Sequence, residues 1–195
     1  MNLPNKLTVT RLVLTPVFFA WYFVKDLVPS VPSVVYSVVL VLIYGIMELT
    51  DLLDGKIARK HNLVTDLGKV MDPFADVMIH LTFFTCFLYS GIAPVWAFVL
   101  ILWREFSQSF MRMLLMGKGK SMAANIFGKA KTCFYAFCSI YGIYFRIMMV
   151  TENSQPWMST VSIVLFGLAA FASVVSFLIY INNVIKQGTL KGMTR

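Results

Sequence analysis

At 195 residues, 58% of them hydrophobic and only 13% charged, the chain is too apolar for a water-soluble globule, because a domain of this size keeps much of its surface in solvent. The net charge of +8 does not point to nucleic acid, since the basic residues punctuate apolar runs instead of forming one patch; a membrane surface is the expected counter-charge. Three cysteines in apolar surroundings make no disulfide scaffold, and Cys86, Cys133 and Cys138 are expected as buried thiols.

Leu3 to Val9 mixes apolar and polar residues over too short a length to span, and is expected to lie along the headgroups. Six apolar stretches then approach the roughly 20 residues that a helix needs to cross hydrocarbon. They are 12–27, 33–50, 74–92, 94–116, 130–150 and 157–185. The expected architecture is an all-α integral membrane protein, six transmembrane helices with an N-terminal interfacial segment, in a single domain over 1–195. The first apolar run lacks a small-residue cleavage site and is expected to stay as an anchor.

Three short breaks, with prolines at 29 and 32, a turn from Gly91 to Pro94, and polar residues from Glu152 to Pro156, fall on one side of the membrane. That side carries only Lys25 and Arg146 among the basic residues. The other side holds both termini and the 51–72 and 117–131 segments with nearly all the positive charge, which places it in the cytoplasm of the cell.

Among nine acids, Asp51, Asp54, Asp72 and Asp76 crowd beside apolar helices, where ionisable groups are costly and mark function. Spacings of three and four put each pair on one face of its own helix. If those helices are neighbours, the four carboxylates share one small volume, and their repulsion calls for protons or cations. An all-oxygen set selects hard ions such as Mg²⁺, Mn²⁺ or Ca²⁺, and shared carboxylates suit a pair of them. Gly55, Ala58 and Gly68 strip the neighbouring helix surface of bulk, and Arg59 offers a fork for a phosphate. His61 and His80 are read as structural.

Written out, the segment is Asp51-x2-Asp54-Gly55-x2-Ala58-Arg59-x8-Gly68-x3-Asp72-x3-Asp76. It resembles the full signature of the CDP-alcohol phosphotransferases. The resemblance implies a six-helix membrane enzyme, usually a homodimer, whose metal site of Mg²⁺ or Mn²⁺ opens to the cytoplasm and which displaces CMP from a CDP-linked lipid. It implies Asp51, Asp54, Asp72 and Asp76 as metal ligands, with Asp76 also the base for the acceptor's proton. It implies Pro4, Asn5, Gly55, Ala58, Arg59, Thr65 and Gly68 as CDP-lipid-binding positions.

A second basic set, Arg104, Arg112, Lys129 and Lys131, lies at the cytoplasmic ends of the fourth and fifth spans, with Lys118 and Lys120 between them. Arg104 and Arg112 share a helix face, and Lys129 and Lys131 stand at a helix entrance, so the set can hold the phosphate of an acceptor through charge-assisted hydrogen bonds. Residues 2–11, Arg104-Glu105-Phe106 with Arg112, and residues 128–132 are similar to the bacterial phosphatidylglycerophosphate synthases, a branch that transfers the phosphatidyl group of CDP-diacylglycerol to sn-glycerol 3-phosphate. Val77, where that branch commonly carries lysine, His80 and the Ser107-Gln108-Ser109 stretch depart from it, which leaves inositol phosphate as the alternative acceptor. A divalent-cation transporter is the alternative of a different class; it would explain the acids but needs no phosphate-binding arginine.

Overall fold

The computed structural model describes residues 2–60, 65–116 and 126–186. These residues form six helices in chain order: α1 (Leu3–Leu27), α2 (Ser33–Lys60), α3 (Asp66–Tyr89), α4 (Val95–Met116), α5 (Ile126–Val150) and α6 (Pro156–Lys186). Five of them are long and apolar enough to cross a membrane; α4, which carries Arg104, Glu105 and Arg112, is not among these. The chain is an all-helical integral membrane protein, and large apolar side chains such as Leu27, Val34, Trp103 and Phe171 stand exposed on the helices, as lipid-facing surfaces require.

The helices gather into two compact units, the first made of residues 1–90 with 143–155 and the second of 91–142 with 156–195. In the first unit α1 packs against α2 and α3. The expected interfacial segment is not a separate element, because the helix runs unbroken from Leu3. Asn2 caps it, its side chain accepting from the Asn5 amide, and Pro4 sits in the first turn, where its missing donor costs nothing. The buried face of α1 starts at Pro4 and Asn5 and then recurs every three or four residues as Thr8, Arg11, Thr15, Phe18 and Tyr22. Its first half is therefore polar and its second half aromatic.

The aromatic half builds an ordinary core. Phe18 packs on Phe83 with the rings tilted by 55° and their centroids 4.4 Å apart, and the Tyr22 hydroxyl meets Ser90 Oγ at 2.8 Å. Arg146 closes this end: its Nη2 donates to Asp26 Oδ2 at 2.6 Å, its Nε donates to the Tyr36 hydroxyl at 3.2 Å, and its guanidinium lies over the Tyr22 ring. One of the two basic residues on the sparsely charged side thus has its counter-ion on α1.

Both acid-bearing helices run further than hydropathy suggested. The second stretch, expected to stop at 50, continues as helix to Lys60, and the third, expected from 74, begins at Asp66. Thr65 makes that start possible, since its Oγ1 accepts from the Gly68 amide at 3.0 Å and caps the first turn. At the far end, α3 is followed by Gly91 in the left-handed region (φ 71°), a conformation that glycine adopts at no steric cost.

In the second unit α4 packs against α6. Ser162 Oγ donates to the Ile92 carbonyl at 2.6 Å, and Gly167 lets the Trp96 ring close in, since a Cβ there would stand 3.2 Å from it. The Tyr141 hydroxyl donates to the Met158 carbonyl at 2.9 Å. Cys86 and Cys138 are buried as expected; Cys133 is exposed, its position on α5 facing away from the packed side.

Candidate active site

The four aspartates are joined into one network through the polar half of α1. Arg11 Nη1 donates to Asp51 and, at 3.2 Å, to Asp76, while Nη2 donates to Asp54 at 2.7 Å. Thr8 Oγ1 donates to Asp72 at 2.7 Å and lies 3.3 Å from Asp54. The helix period explains the arrangement: Thr8 and Arg11 are one turn apart on α1, as Asp51 and Asp54 are on α2 and Asp72 and Asp76 are on α3. The Arg11 side chain is only 3% exposed, and Asp54, at 7%, is enclosed with it, whereas Asp51 (47%) and Asp76 (53%) remain open at the edge.

Four carboxylates against a single guanidinium leave three formal negative charges. Among the described residues no group of three acids, histidines or cysteines stands in an arrangement that holds a metal ion; the Arg11 guanidinium lies among the acids. The donor set itself is all oxygen and of a single sign, which fits a hard divalent cation and no soft one. The His80 ring Nδ1 lies 2.8 Å from the Asp76 backbone carbonyl. His61 lies outside the described residues.

Asn5, Thr65 and Gly68 come together beside this network, with Pro4 buried next to Asn5 on α1. Asn5 Nδ2 donates to Thr65 Oγ1 at 3.1 Å, and a Cβ built on Gly68 would stand 2.9 Å from Asn5 Oδ1 and 3.2 Å from Thr65 Oγ1. The room that Gly68 leaves is filled by the Asn5 amide, so this glycine lets α1 dock against α3. Gly55 follows Asp54 on α2, half-buried. The side chains of Ala58 and Arg59 lie outside the described residues, as do Lys118 and Lys120.

The basic set is arranged differently from expectation. Arg104 and Lys131 were expected to share a phosphate with Arg112 and Lys129; instead both are held by a carboxylate of the chain. Glu105 Oε1 accepts from Arg104 Nη1, Lys131 Nζ and the Tyr135 hydroxyl, each at 2.8 Å. Lys131 also lies over the Tyr135 ring at 4.5 Å, and that hydroxyl meets Ser173 Oγ at 2.9 Å. The physical reason is burial: the buried Arg104 and the largely covered Lys131 need a counter-charge, and Glu105 supplies it from within α4. Arg112 and Lys129 are exposed.

Three residues organise these clusters without a role assigned to them from the sequence: Thr8 and Arg11, which lie within residues 2–11, and Glu105 of the Arg104-Glu105-Phe106 segment. Asn5, Thr8, Arg11 and Thr15 form a polar stripe at helical spacing inside an apolar helix. That stripe carries the same signal that singled out the aspartates.

Residues 1–184 match the family model described as CDP-alcohol phosphatidyltransferase. The chain belongs to this family. Among curated relatives of this CDP-alcohol phosphatidyltransferase, one from Treponema pallidum (strain Nichols), named CDP-diacylglycerol–glycerol-3-phosphate 3-phosphatidyltransferase, is 36% identical over 157 residues, covering 78% of this chain and 73% of the relative. A protein of the same name from Bacillus subtilis (strain 168) is 37% identical over 138 residues, covering 67% of this chain and 70% of the relative. A cardiolipin synthase (CMP-forming) from Streptomyces coelicolor is 28% identical over 170 residues, covering 87% of this chain and 74% of the relative.

Proposed function

We propose that this CDP-alcohol phosphatidyltransferase transfers the phosphatidyl group of CDP-diacylglycerol to sn-glycerol 3-phosphate, releasing CMP and forming phosphatidylglycerophosphate, a step of phospholipid synthesis. The similarity to relatives bearing that activity in their names carries the reading. In the reaction a primary hydroxyl oxygen of the acceptor bonds to the lipid-bearing phosphorus, the bond from that phosphorus to the CMP oxygen breaks, and the hydroxyl proton leaves to a base.

Asp76 is the base in this reading: it is half-exposed at the edge of the acid network, where an incoming hydroxyl can meet it. Asp51, Asp54, Asp72 and Asp76 would together hold Mg²⁺ or Mn²⁺, two ions in our reading. Such ions, when bound, neutralise the diphosphate and the charge that develops on the leaving CMP. Thr8 fixes the orientation of Asp72, and Arg11 that of Asp54, so the acids keep their facing when one oxygen is engaged elsewhere. Pro4, Asn5, Gly55, Ala58, Arg59, Thr65 and Gly68 form the CDP-lipid side. Arg104, Arg112, Lys129 and Lys131 form the acceptor side, with exposed Arg112 and Lys129 meeting the phosphate and Glu105 holding the other two in place.

The charge distribution supports a cell-membrane protein with both termini and the acids on the cytoplasmic side; that it works as a homodimer is what the family resemblance implies. The test supplies purified protein with CDP-diacylglycerol, Mg²⁺ or Mn²⁺, and in turn glycerol 3-phosphate, inositol phosphate, inositol and serine, and measures CMP. Release that depends on glycerol 3-phosphate is the expected result. Release with inositol phosphate alone replaces the acceptor, and no acceptor-dependent release refutes the transferase.

A further inference from the structure

We propose that Gln108, with Arg104 Nε one helical turn before it, reads the secondary hydroxyl of the acceptor and so decides which phosphorylated alcohol this chain accepts. Arg104, Gln108 and Arg112 recur at intervals of four and share a face of α4. Gln108 is 7% exposed and Arg104 5%, yet Gln108 Oε1 and Arg104 Nε have no hydrogen-bond partner. Among the described residues three buried side-chain polar atoms lack a partner, and two of them are these neighbours. The groups around them are satisfied: Arg104 spends Nη1 on Glu105 and Nη2 on Ser176 Oγ, and Tyr135 and Lys131 converge on Glu105. Buried polar atoms left unpaired are costly, so a water or a group of a bound molecule is expected to complete them.

The two atoms are complementary, since one accepts and the other donates. An anion would suit Arg104 Nε and repel Gln108 Oε1; an ammonium would do the reverse. A hydroxyl does both, accepting from the guanidinium and donating to the amide oxygen. The inference rests on the acceptor proposed above, whose chemistry has three parts: a phosphate, a primary hydroxyl that reacts, and a secondary hydroxyl that does not. Arg112, exposed one turn beyond Gln108, suits the phosphate, and the unpaired Gln108 Oε1 and Arg104 Nε suit the secondary hydroxyl.

Acceptor-dependent CMP release is compared for sn-glycerol 3-phosphate and 3-hydroxypropyl phosphate, which lacks that hydroxyl, in the native enzyme and in Gln108→Met. The native enzyme is expected to favour glycerol 3-phosphate in kcat/KM by roughly ten- to a hundred-fold. Gln108→Met brings the two acceptors to within about threefold of each other by losing only the first, with KM for CDP-diacylglycerol unchanged. Thermal unfolding reads the same selectivity without turnover: glycerol 3-phosphate raises the native Tm above the value reached with the analogue. A water on these two atoms, or a purely structural Gln108, predicts equal treatment of both acceptors by the native enzyme, or a preference that survives Gln108→Met; either overturns the inference. If the native enzyme turns over neither acceptor, the acceptor reading falls first and this inference with it.

Discussion

Replacing Arg11 with Gln removes the cation that ties three of the four aspartates together, and the structure sets the size of the effect. The Asp54 side chain is 7% exposed and loses its counter-charge, which for a buried pair broken on one side costs about 3–5 kcal/mol. Asp51 and Asp76 are 47% and 53% exposed, so water and salt screen them and each adds at most about 1 kcal/mol. The expected loss is about 4 kcal/mol, a fall of roughly 8–16 °C in Tm for a chain of this length. Thermal unfolding in detergent measures it, and a cycle with Asp54→Asn isolates the pair: the double variant should recover more than half of the loss. Mg²⁺ or Mn²⁺ should stabilise Arg11→Gln more than the native chain, because the variant's acids carry one more uncompensated charge. A loss below about 1 kcal/mol, the value of an exposed pair, or no recovery in the double variant, refutes the placement of Arg11 as the buried counter-ion.

Asp76→Asn should lower turnover by about 10²–10⁴-fold while CDP-diacylglycerol still binds, as measured by CMP release and by lipid binding in nanodiscs; weakened binding with kcat retained would contradict its role as base. Gly68→Ala drives a Cβ to 2.9 Å from Asn5 Oδ1 and should cost about 1–3 kcal/mol in unfolding, whereas Gly45→Ala, with nothing within 4 Å, should be neutral or stabilising. Arg112→Ala should raise KM for glycerol 3-phosphate several-fold more than KM for CDP-diacylglycerol; equal effects would remove Arg112 from the acceptor side. Glu105→Ala strands Arg104 and Lys131 and should destabilise by about 3–5 kcal/mol, more than Lys131→Ala, which leaves Glu105 with Arg104 and Tyr135.

Hydropathy made the six helices legible because each apolar run is long, and it misplaced the ends where the helix continues into polar sequence. Asp51 to Lys60 and Asp66 to Asp72 are helical although they are not apolar, held by the Thr65 cap and by α1 rather than by lipid. The face-sharing of each aspartate pair followed from spacing alone, since three and four residues are one helical turn. What joins the pairs did not, because it depends on a third helix whose polar stripe begins in a segment that composition assigned to the membrane surface. The pairing of Arg104 and Lys131 with Glu105 was hidden for a similar reason. Lys131 and Glu105 are separated by 26 positions, and only the folded contact between α4 and α5 makes their 2.8 Å bond.

Counting Mn²⁺ ions by electron paramagnetic resonance, on the native chain in nanodiscs containing CDP-diacylglycerol, tests the central claim most directly. The acid network read as the reaction centre predicts two ions per chain, lost together with acceptor-dependent CMP release in Asp54→Asn. A native chain that releases CMP with no Mn²⁺ or Mg²⁺ bound, or an Asp54→Asn variant that keeps both ions and full activity, would contradict it.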